Sequence, residues 1–381
     1  MIKKHLKTGT SSSVKPMRLL CIVNCNDRVE TELFIGLWQK GVAIDVICNP
    51  HGPNFKRLEA SGVPVLPRGF TGRIDPAGIR FIRDQLSAKP YDAIYAFNNK
   101  TLSNALFATR RIPVKIVCYR GTVGNISYLS PGCWITFLHP RIDRIICVSE
   151  AVRQYFLEKK CLWWGFQPEQ LMTIHKGHNP EWYEQPPHDL SEFGIPPHAF
   201  VVGCIGRSRP HKGLKYLIEA ARWLPREAPI HFLLVGDLEA DKKLHRQIAA
   251  SPFKDRIHLT GYRWDARAIT AACHVYVMPA TAREGLSRAT IEAMSRGVPA
   301  IVTNAGGNSE IVEDGISGRV VPARDGRAIG RAIEMFYRDP EKRSAMGQGA
   351  RQRIINDFNI RHTIEKTYQM LDALVKDTSD H

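Results

Sequence analysis

Short apolar runs alternate with amphipathic stretches along the first half of the chain. Residues 18–23 form one such run, and the stretch 30–40 after it carries Leu33 and Leu37 at helical spacing. We therefore predict a buried parallel strand, then a helix that ends near Gly41. The pattern repeats, with predicted strands at 42–48, 63–66, 93–96, 114–118 and 145–148 and predicted helices at 79–86 and 102–109. Such repetition predicts a doubly wound parallel sheet.

The same alternation resumes after a proline-rich interruption. Five prolines lie between Asn179 and Ala199 in a polar segment, which is typical of a linker. Predicted strands then follow at 201–205, 230–235, 257–259, 275–278, 300–303 and 318–321, with predicted helices at 214–224 and 360–375. The second half of the chain is therefore predicted to form a second α/β sheet.

The length of 381 residues exceeds what one core comfortably supports, so two domains are expected. We place the domains at residues 17–180 and 200–357, with a linker at 181–199. Residues 358–381 hold the last predicted helix, which we expect to cross back to the first domain. Residues 1–16 are basic and lack the apolar stretch of a secretory signal. We expect a disordered tail there and a cytoplasmic protein.

Composition excludes some other classes of protein. Hydrophobic residues make up 44% of the chain and charged residues 24%, as in soluble globular proteins, and no apolar run reaches the roughly 18 residues of a membrane span. The nine cysteines are scattered along the chain. This spacing predicts reduced thiols rather than a disulfide framework or a zinc site.

Positive charge is concentrated in the first half. Residues 1–180 contain 25 Lys and Arg against 12 Asp and Glu, a net charge of +13, and the remainder carries 28 against 25, a net charge of +3. A basic first half predicts attraction to nucleic acid, to acidic lipid headgroups or to a phosphorylated acceptor, and charge leaves these three open. No recognition helix, stacking platform or zinc module is evident, which disfavours nucleic acid as a partner.

The first candidate site element follows the predicted strand 201–205. Gly206 and Arg207 come directly after that strand, and Lys212 and Gly213 stand just before the predicted helix. Two cations and two glycines at a strand-to-helix turn predict an anion site, with a solvated loop as the alternative. The spacing does not fit a Walker A loop, and no G-x-G-x-x-G follows any strand.

Two further elements also follow predicted strands. Glu284 and Glu292 lie eight positions apart across a loop-to-helix transition, so both carboxylates could border one cleft and bind sugar hydroxyls. Surface charge is the alternative for this pair. In residues 303–310, Gly306 and Gly307 permit close approach of a ligand, and we expect free amides there to face negative charge, unless the glycines only form a turn.

In this order, the three elements resemble the family 4 glycosyltransferases, also called glycosyltransferase group 1. The resemblance covers about residues 200–355. It implies the GT-B architecture, in which two Rossmann-like doubly wound domains face each other across a cleft. The first domain, residues 17–180, is then expected to bind the acceptor (the acceptor domain), and the second, residues 200–357, the nucleotide-sugar donor (the donor domain). It also implies transfer from a nucleotide-sugar donor with retention of anomeric configuration and without a divalent metal. The absence of a D-x-D sequence from the chain agrees with this, and the resemblance therefore leads us to expect no metal and no cofactor.

The resemblance also implies roles for individual residues. Arg207 and Lys212 are expected to bind the donor diphosphate and to stabilise the leaving group. Glu284 is expected to contact sugar hydroxyls, and Glu292 the ribose. The remaining residues expected near the sugar and phosphates are Gly206, Gly285, Leu286 and Ser287.

The first half departs from the family pattern. Residues 24–28 read Asn-Cys-Asn-Asp-Arg where a glycine-rich loop is common, and no histidine follows the strand at 114–118. No catalytic histidine can therefore be assigned. Our candidates for acceptor contacts are Asn26, Arg120, His175 and His178, with a hydrogen-bonded structural role as the alternative for the two histidines.

Two segments of the basic half combine aromatic and apolar residues. Residues 134–138 and 159–166 suit either a membrane interface or the domain core.

We expect a hexosyltransferase that passes a hexose from a UDP- or GDP-sugar to a glycan or lipid-linked acceptor in lipopolysaccharide or surface polysaccharide synthesis, at the inner face of the membrane. A nucleotide-sugar epimerase of the same fold is the main alternative, and a nucleic-acid-binding protein is a weaker one.

Overall fold

The computed structural model describes residues 16–161 and 164–377. Within these residues the first half forms a parallel sheet of seven strands in the order β3-β2-β1-β4-β5-β6-β9, with β7 and β8 forming a separate antiparallel pair. The strands are β1 (Arg18–Ile22), β2 (Ala43–Cys48), β3 (Val65–Pro67), β4 (Ala93–Ala96), β5 (Lys115–Arg120), β6 (Arg144–Cys147), β7 (Lys160–Cys161), β8 (Trp164–Gly165) and β9 (Leu171–Thr173). The helices are α1 (Arg28–Gln39), α2 (Phe55–Ala60), α3 (Pro76–Ala88), α4 (Asn99–Ala108), α5 (Pro131–Trp134) and α6 (Glu150–Leu157).

The second half of the described chain forms a parallel sheet of six strands in the order β12-β11-β10-β13-β14-β15. Its strands are β10 (Phe200–Ile205), β11 (Ile230–Val235), β12 (Ile257–Leu259), β13 (Val275–Met278), β14 (Ala300–Thr303) and β15 (Gly318–Val321). The helices are α7 (Leu214–Ala220), α8 (Lys242–Ala249), α9 (Ala266–Ala271), α10 (Arg288–Ser295), α11 (Asn308–Ile311), α12 (Gly326–Arg338), α13 (Pro340–Asn356) and α14 (Ile360–Lys376). Both sheets are doubly wound, as the sequence predicts.

Local signals explain where the first helix begins and ends. Asp27 caps α1 by accepting a hydrogen bond from the amide of Glu30 at 3.0 Å, and the Glu30 carboxylate accepts from the amide of Asp27 at 3.2 Å. This reciprocal pair is a capping box, which satisfies amides that have no partner within the helix. Gly41 follows the helix at a φ of 86°, a conformation that glycine adopts without strain.

The chain crosses between the domains twice, and the two crossings lie side by side. The amide of His178 donates to the carbonyl of Phe358 at 2.7 Å, and the amide of Ile360 donates back to the carbonyl of His178 at 3.3 Å. Beyond the second crossing, α14 packs on α1 of the first domain. Its buried residues Met370 and Leu371 belong to the core of that domain.

The two aromatic segments differ in their surroundings. In residues 134–138, Phe137 and Leu138 are buried, and the indole of Trp134 donates to the carbonyl of Tyr128 at 2.8 Å. Burial in the core therefore accounts for this segment. In the segment 159–166, residues 162–163, including one tryptophan, lie outside the described residues, whereas Lys160 is exposed.

Three further expectations concern the whole chain. The tail at residues 1–15 lies outside the described residues, as does the end of the chain at 378–381. All nine cysteines fall within the described residues and are free thiols, seven of them buried. Among the helices of the described chain, none combines the length and apolarity needed to cross a membrane.

Candidate active site

Three loops that follow neighbouring strands meet at one edge of the second sheet. β10, β13 and β14 are adjacent, and the loops at 206–213, 279–287 and 304–307 leave their carboxyl ends. In open parallel sheets ligands bind at this edge, where the strand order reverses, which here lies between β10 and β13. The three elements singled out in the sequence are therefore brought together.

The first loop presents two cations in different surroundings. Arg207 is exposed and makes no ion pair within the described chain. Lys212 lies in a 3-10 turn, and its ammonium is 2.6 Å from Oε1 of Glu284. The turn ends at Gly213, where a Cβ would lie only 1.8 Å from the carbonyl oxygen of Pro279. The packing of this turn therefore requires glycine and holds Lys212 over Glu284.

The second loop is pressed against the first domain. Glu284 forms an antiparallel bridge with Thr122, and a Cβ on Gly285 would lie 2.1 Å from the carbonyl oxygen of Gly121. Leu286 packs against apolar clusters of both domains. The backbone of the predicted sugar-binding segment therefore lies at the junction of the two domains.

The helix after this loop carries the second glutamate. The hydroxyl of Ser287 caps α10 by accepting from the amide of Thr290 at 3.3 Å. Glu292 lies one turn into α10, and Nε of Arg288 is 3.7 Å from its carboxylate. Burial raises the pKa of Glu292, while the charges of Arg288 and Arg267 oppose the rise. A partly buried, loosely paired carboxylate of this kind is suited to accept hydrogen bonds from vicinal hydroxyls.

The third loop supports the second. A Cβ on Gly306 would lie 2.0 Å from the carbonyl oxygen of Glu284, and the amide of Gly307 donates to that same oxygen at 3.2 Å. The sequence led us to expect the amides here to face a ligand. Instead, the amide of Gly307 bonds to the Glu284 backbone, so this loop positions Glu284.

Asn26 and Arg120, two of the four acceptor candidates, are buried and bonded within the first domain. Nε of Arg120 donates to the carbonyl of Thr122 at 3.0 Å, and its guanidinium lies 4.8 Å from the ring centre of Phe137. The amide group of Asn26 donates to the hydroxyl of Thr31 at 2.7 Å. The guanidinium of Arg120 is therefore engaged within its own loop. Oδ1 of Asn26 is buried and has no hydrogen-bond partner in the described chain.

The two histidines behave differently. His178 is buried with Nδ1 against the hydroxyl of Tyr183, and burial lowers its pKa to about 3, so it is neutral near pH 7. His178 therefore has the hydrogen-bonded structural role that the sequence left as the alternative to an acceptor contact. His175 is partly exposed, and its Nε2 lies 3.0 Å from Oε2 of Glu310, a residue that follows the paired glycines of the third loop.

A cluster of partly buried charges lies beside His178, and no sequence motif predicted it. The ammonium of Lys176 is 2.6 Å from Oδ2 of Asp27 and 2.9 Å from Oε1 of Glu30. Burial acts to lower the pKa of Lys176, but the charges of Glu30 and Asp27 raise it above its usual value. The spacing of Asp27 and Glu30 signals a capping box, but nothing local links them to a lysine almost 150 residues later.

Comparison with known proteins places the chain in a family. Residues 188–353 match the Glycosyl transferases group 1 family, and residues 28–182 match Glycosyltransferase Family 4. The two matches together take in most of both domains. The chain therefore belongs to the group 1, or family 4, glycosyltransferases, which confirms the family predicted from the sequence.

Individual relatives agree with this assignment. The UDP-Gal:alpha-D-GlcNAc-diphosphoundecaprenol alpha-1,3-galactosyltransferase of Escherichia coli is 26% identical, over 94% of this chain and 96% of its own length. The capsular polysaccharide biosynthesis glycosyltransferase CapM of Staphylococcus aureus is also 26% identical, over 72% of this chain and 74% of its own.

Solved structures share the fold along most of the chain. A glycosyltransferase from Rickettsia africae superposes with a TM-score of 0.78 at 17% identity, covering 95% of this chain and 99% of that one. Anabaena HepE, solved in complex with UDP, superposes with a TM-score of 0.76 at 21% identity, covering 94% of this chain and 100% of that one. These likenesses confirm the predicted GT-B fold.

Proposed function

We propose that this glycosyltransferase moves a hexose from a UDP- or GDP-sugar to a glycan or lipid-linked acceptor, with retention of configuration and without a divalent metal. The observation that carries the proposal is the 2.6 Å contact between Lys212 and Glu284, with Arg207 on the same loop. The contact supports the proposal because the reaction requires cations for the departing diphosphate close to a carboxylate for the sugar hydroxyls.

The chemistry explains why these charges belong together. In transfer, the bond between the anomeric carbon and the diphosphate oxygen breaks, a bond to the acceptor oxygen forms, and the proton of the acceptor hydroxyl passes to the released diphosphate. Negative charge grows on the diphosphate while the sugar ring becomes oxocarbenium-like. Arg207 and Lys212 stabilise that developing charge, a kind of contribution worth about 3 kcal/mol per group. Because fixed cations offset the diphosphate, the proposed reaction needs no metal.

The rest of the donor is assigned to the second domain. Glu292, which is partly buried on α10 and loosely paired with Arg288, binds the ribose hydroxyls. The backbone at Gly285 and Leu286 lies beside Glu284 and lines the sugar site, and Ser287 holds the start of α10. Retention of configuration is the outcome that family membership favours.

Relatives support a lipid-linked or surface-glycan acceptor. The E. coli relative is named for a GlcNAc-diphosphoundecaprenol substrate, and a Rhizobium meliloti relative, 29% identical over 49% of this chain and 53% of its own length, is named as a lipopolysaccharide core biosynthesis glycosyltransferase. An acceptor with a long lipid and a diphosphate is both apolar and anionic. The acceptor domain should then offer an apolar and basic surface.

Such a surface lies on the first domain. Leu129 is 94% exposed and Ile74 is 58% exposed, although both are large and apolar. Arg73, next to Ile74, donates to the carbonyl of Gly132 at 3.4 Å. This bond joins the loop that carries Ile74 to the segment that carries Leu129. The hydroxyl of Tyr128 donates to the carbonyl of Lys159 at 3.0 Å and joins them to β7. We name this surface, formed by Arg73, Ile74, Leu129, Lys159 and Lys160, the basic rim and propose that it rests on an anionic membrane.

Three measurements test the proposed function. A thermal-shift panel of UDP, GDP, ADP and their sugars should single out one base, and UDP or GDP is expected to raise the melting temperature most. The corresponding nucleotide sugar should then be incubated with and without a lipid-linked acceptor. Proton NMR of the products should show transfer that requires the acceptor, with the anomeric configuration of the donor sugar retained. Activity should persist in excess chelator. Epimerised free donor as the product, or metal-reversible loss of activity, would contradict the proposal.

A further inference from the structure

A carboxylate of the second domain closes the amino end of a helix in the first. Oε2 of Glu310 accepts a hydrogen bond from the amide of Glu150 at 2.8 Å, and Oε1 accepts from the amide of Ala151 at 2.9 Å. Nε2 of His175 lies 3.0 Å from Oε2. Three groups of the acceptor domain therefore converge on one side chain of the donor domain.

These bonds complete the hydrogen bonding at the start of α6. The first amides of a helix have no partner inside it, and a negative charge there also offsets the helix dipole. Ser149 serves the next two amides, because its hydroxyl accepts from Val152 at 3.3 Å and its carbonyl accepts from Arg153 at 3.1 Å. The amides of Glu150 and Ala151 depend on Glu310. Separating the domains would leave both unbonded within the protein.

The same segment reaches the predicted sugar-binding residue. Gly307, which precedes α11, donates to the carbonyl of Glu284 at 3.2 Å. A Cβ on Gly307 would lie 1.9 Å from the carbonyl oxygen of Gly285 and 2.6 Å from Cβ of Ser149. The third loop is therefore wedged between the Glu284 loop and the start of α6, with Glu310 as its charged anchor.

We propose that Glu310 is a positioning residue that docks the donor domain on the acceptor domain and thereby sets the backbone of Glu284 for transfer. Reactants held by two different domains react only when the domains are closed in register, and a displacement of about 1 Å can cost about a hundredfold in rate. The docking itself is a property of the protein alone. Its effect on turnover rests on the glycosyl transfer proposed above.

Two variants of Glu310 should reduce kcat to different extents. Glu310→Ala removes both bonds, and we expect kcat to fall about a hundredfold. Glu310→Gln keeps the shape and one acceptor oxygen, but turns an NH₂ group toward an amide, and we expect a fall of about tenfold. Nucleotide affinity should change by less than about twofold in both, because Arg207, Lys212 and Glu292 are untouched. A general loss of stability would not produce this split.

Hydrogen exchange, followed by mass spectrometry, measures the docking directly. In Glu310→Ala, exchange at residues 150–152 should be faster by about tenfold or more, while β10 and β13 keep their protection. Glu313→Gln is the matched control, since Glu313 lies on the same segment and pairs with Arg353 of its own domain at 3.5 Å. It should leave both exchange and kcat unchanged.

Each measurement can overturn the proposal. Exchange at residues 150–152 that stays slow in Glu310→Ala would show that the carboxylate does not dock the domains. Faster exchange with an unchanged kcat would show that docking does not serve transfer. Failure of the proposed function would appear differently, as absence of transfer in the parent enzyme while the exchange of residues 150–152 still responds to Glu310.

Discussion

The ammonium of Lys212 lies 2.6 Å from the carboxylate of Glu284, although the two residues are 72 positions apart. A carboxylate that is largely buried needs a nearby cation, and Lys212 is that cation. Arg207, on the same loop, is exposed and has no ion pair within the described residues. Of the two cations assigned to the donor diphosphate, Lys212 therefore also stabilises a buried carboxylate, whereas Arg207 does not.

Loss of either cation should slow transfer, but only one should affect stability. We expect Arg207→Ala and Lys212→Ala each to lower kcat about a hundredfold. Lys212→Ala should also lower the free energy of unfolding by about 1 to 3 kcal/mol, because Glu284 is left unpaired. Steady-state kinetics and denaturant titration measure the two effects. Arg222→Ala, at an exposed arginine in the 3-10 turn that follows α7, is the control. Parental rates in both site variants would remove the assignment.

The two glutamates should separate chemistry from binding. Glu284→Gln should abolish transfer and leave nucleotide affinity nearly unchanged, because its carboxylate is assigned to the sugar. Glu292→Gln should raise the dissociation constant of the nucleoside diphosphate about tenfold, the value of one charge-assisted hydrogen bond. Calorimetric titration measures the affinity, and Glu341→Gln, on the exposed start of α13, serves as the control. Unchanged nucleotide affinity in Glu292→Gln would exclude the ribose role.

Membrane binding should depend on the basic rim. Cosedimentation with liposomes should increase with anionic lipid and decrease with added salt, since exposed charges are screened beyond about 8 Å at physiological ionic strength. Changing Lys159 and Lys160 together to glutamate should weaken it, at about 1 kcal/mol per cation lost. The matched pair Lys242→Glu and Lys243→Glu, on α8 of the second domain, should bind as the parent does. Indifference to anionic liposomes at low salt would favour a soluble anionic acceptor.

Acid should destabilise the fold through His178. Burial lowers the pKa of His178 to about 3, whereas an unfolded histidine titrates near 6.5, so between these values the unfolded chain binds a proton that the folded protein does not. Stability therefore falls as pH falls through this window. We expect this group to remove about 2 kcal/mol between pH 7 and pH 5.

Chemical denaturation as a function of pH tests the role of His178. His178→Gln should have a lower stability at pH 7 but a shallower loss toward pH 5, because its side chain does not titrate. His362→Gln, at an exposed position of α14, should keep the parental pH slope. An identical slope in His178→Gln and the parent would mean that His178 has the same pKa in the folded and the unfolded protein, so that burial does not lower it.

Many of the strands could be predicted from local sequence patterns. Strands buried on both faces of a parallel sheet appear as continuous apolar runs, so β1, β4, β11 and β13 were predicted close to their observed bounds. β9 was missed, because a strand of three residues with one buried position leaves no periodic signal. The predicted helix at 214–224 ends as an α-helix at Ala220 and continues as a 3-10 turn.

The three loops of the candidate donor site could also be selected from the sequence. Each of its elements is a short segment placed directly after a strand, and the carboxyl ends of adjacent parallel strands share one edge. Arg207, Lys212, Glu284 and Glu292 could therefore be selected from spacing and family resemblance. Their assigned roles are the subject of the predictions above.

Tertiary structure alone decided which groups are paired across the chain. A helix start shows in the sequence that amides need partners, but not that Glu310 of the other domain supplies them for α6 from 160 positions away. Nothing local to Lys176 predicts that it lies between Asp27 and Glu30, almost 150 positions earlier in the chain. Sequence encodes the chemistry that each residue offers, whereas the packing of the two domains determines which of those groups lie within hydrogen-bonding distance, because that distance depends on the whole fold.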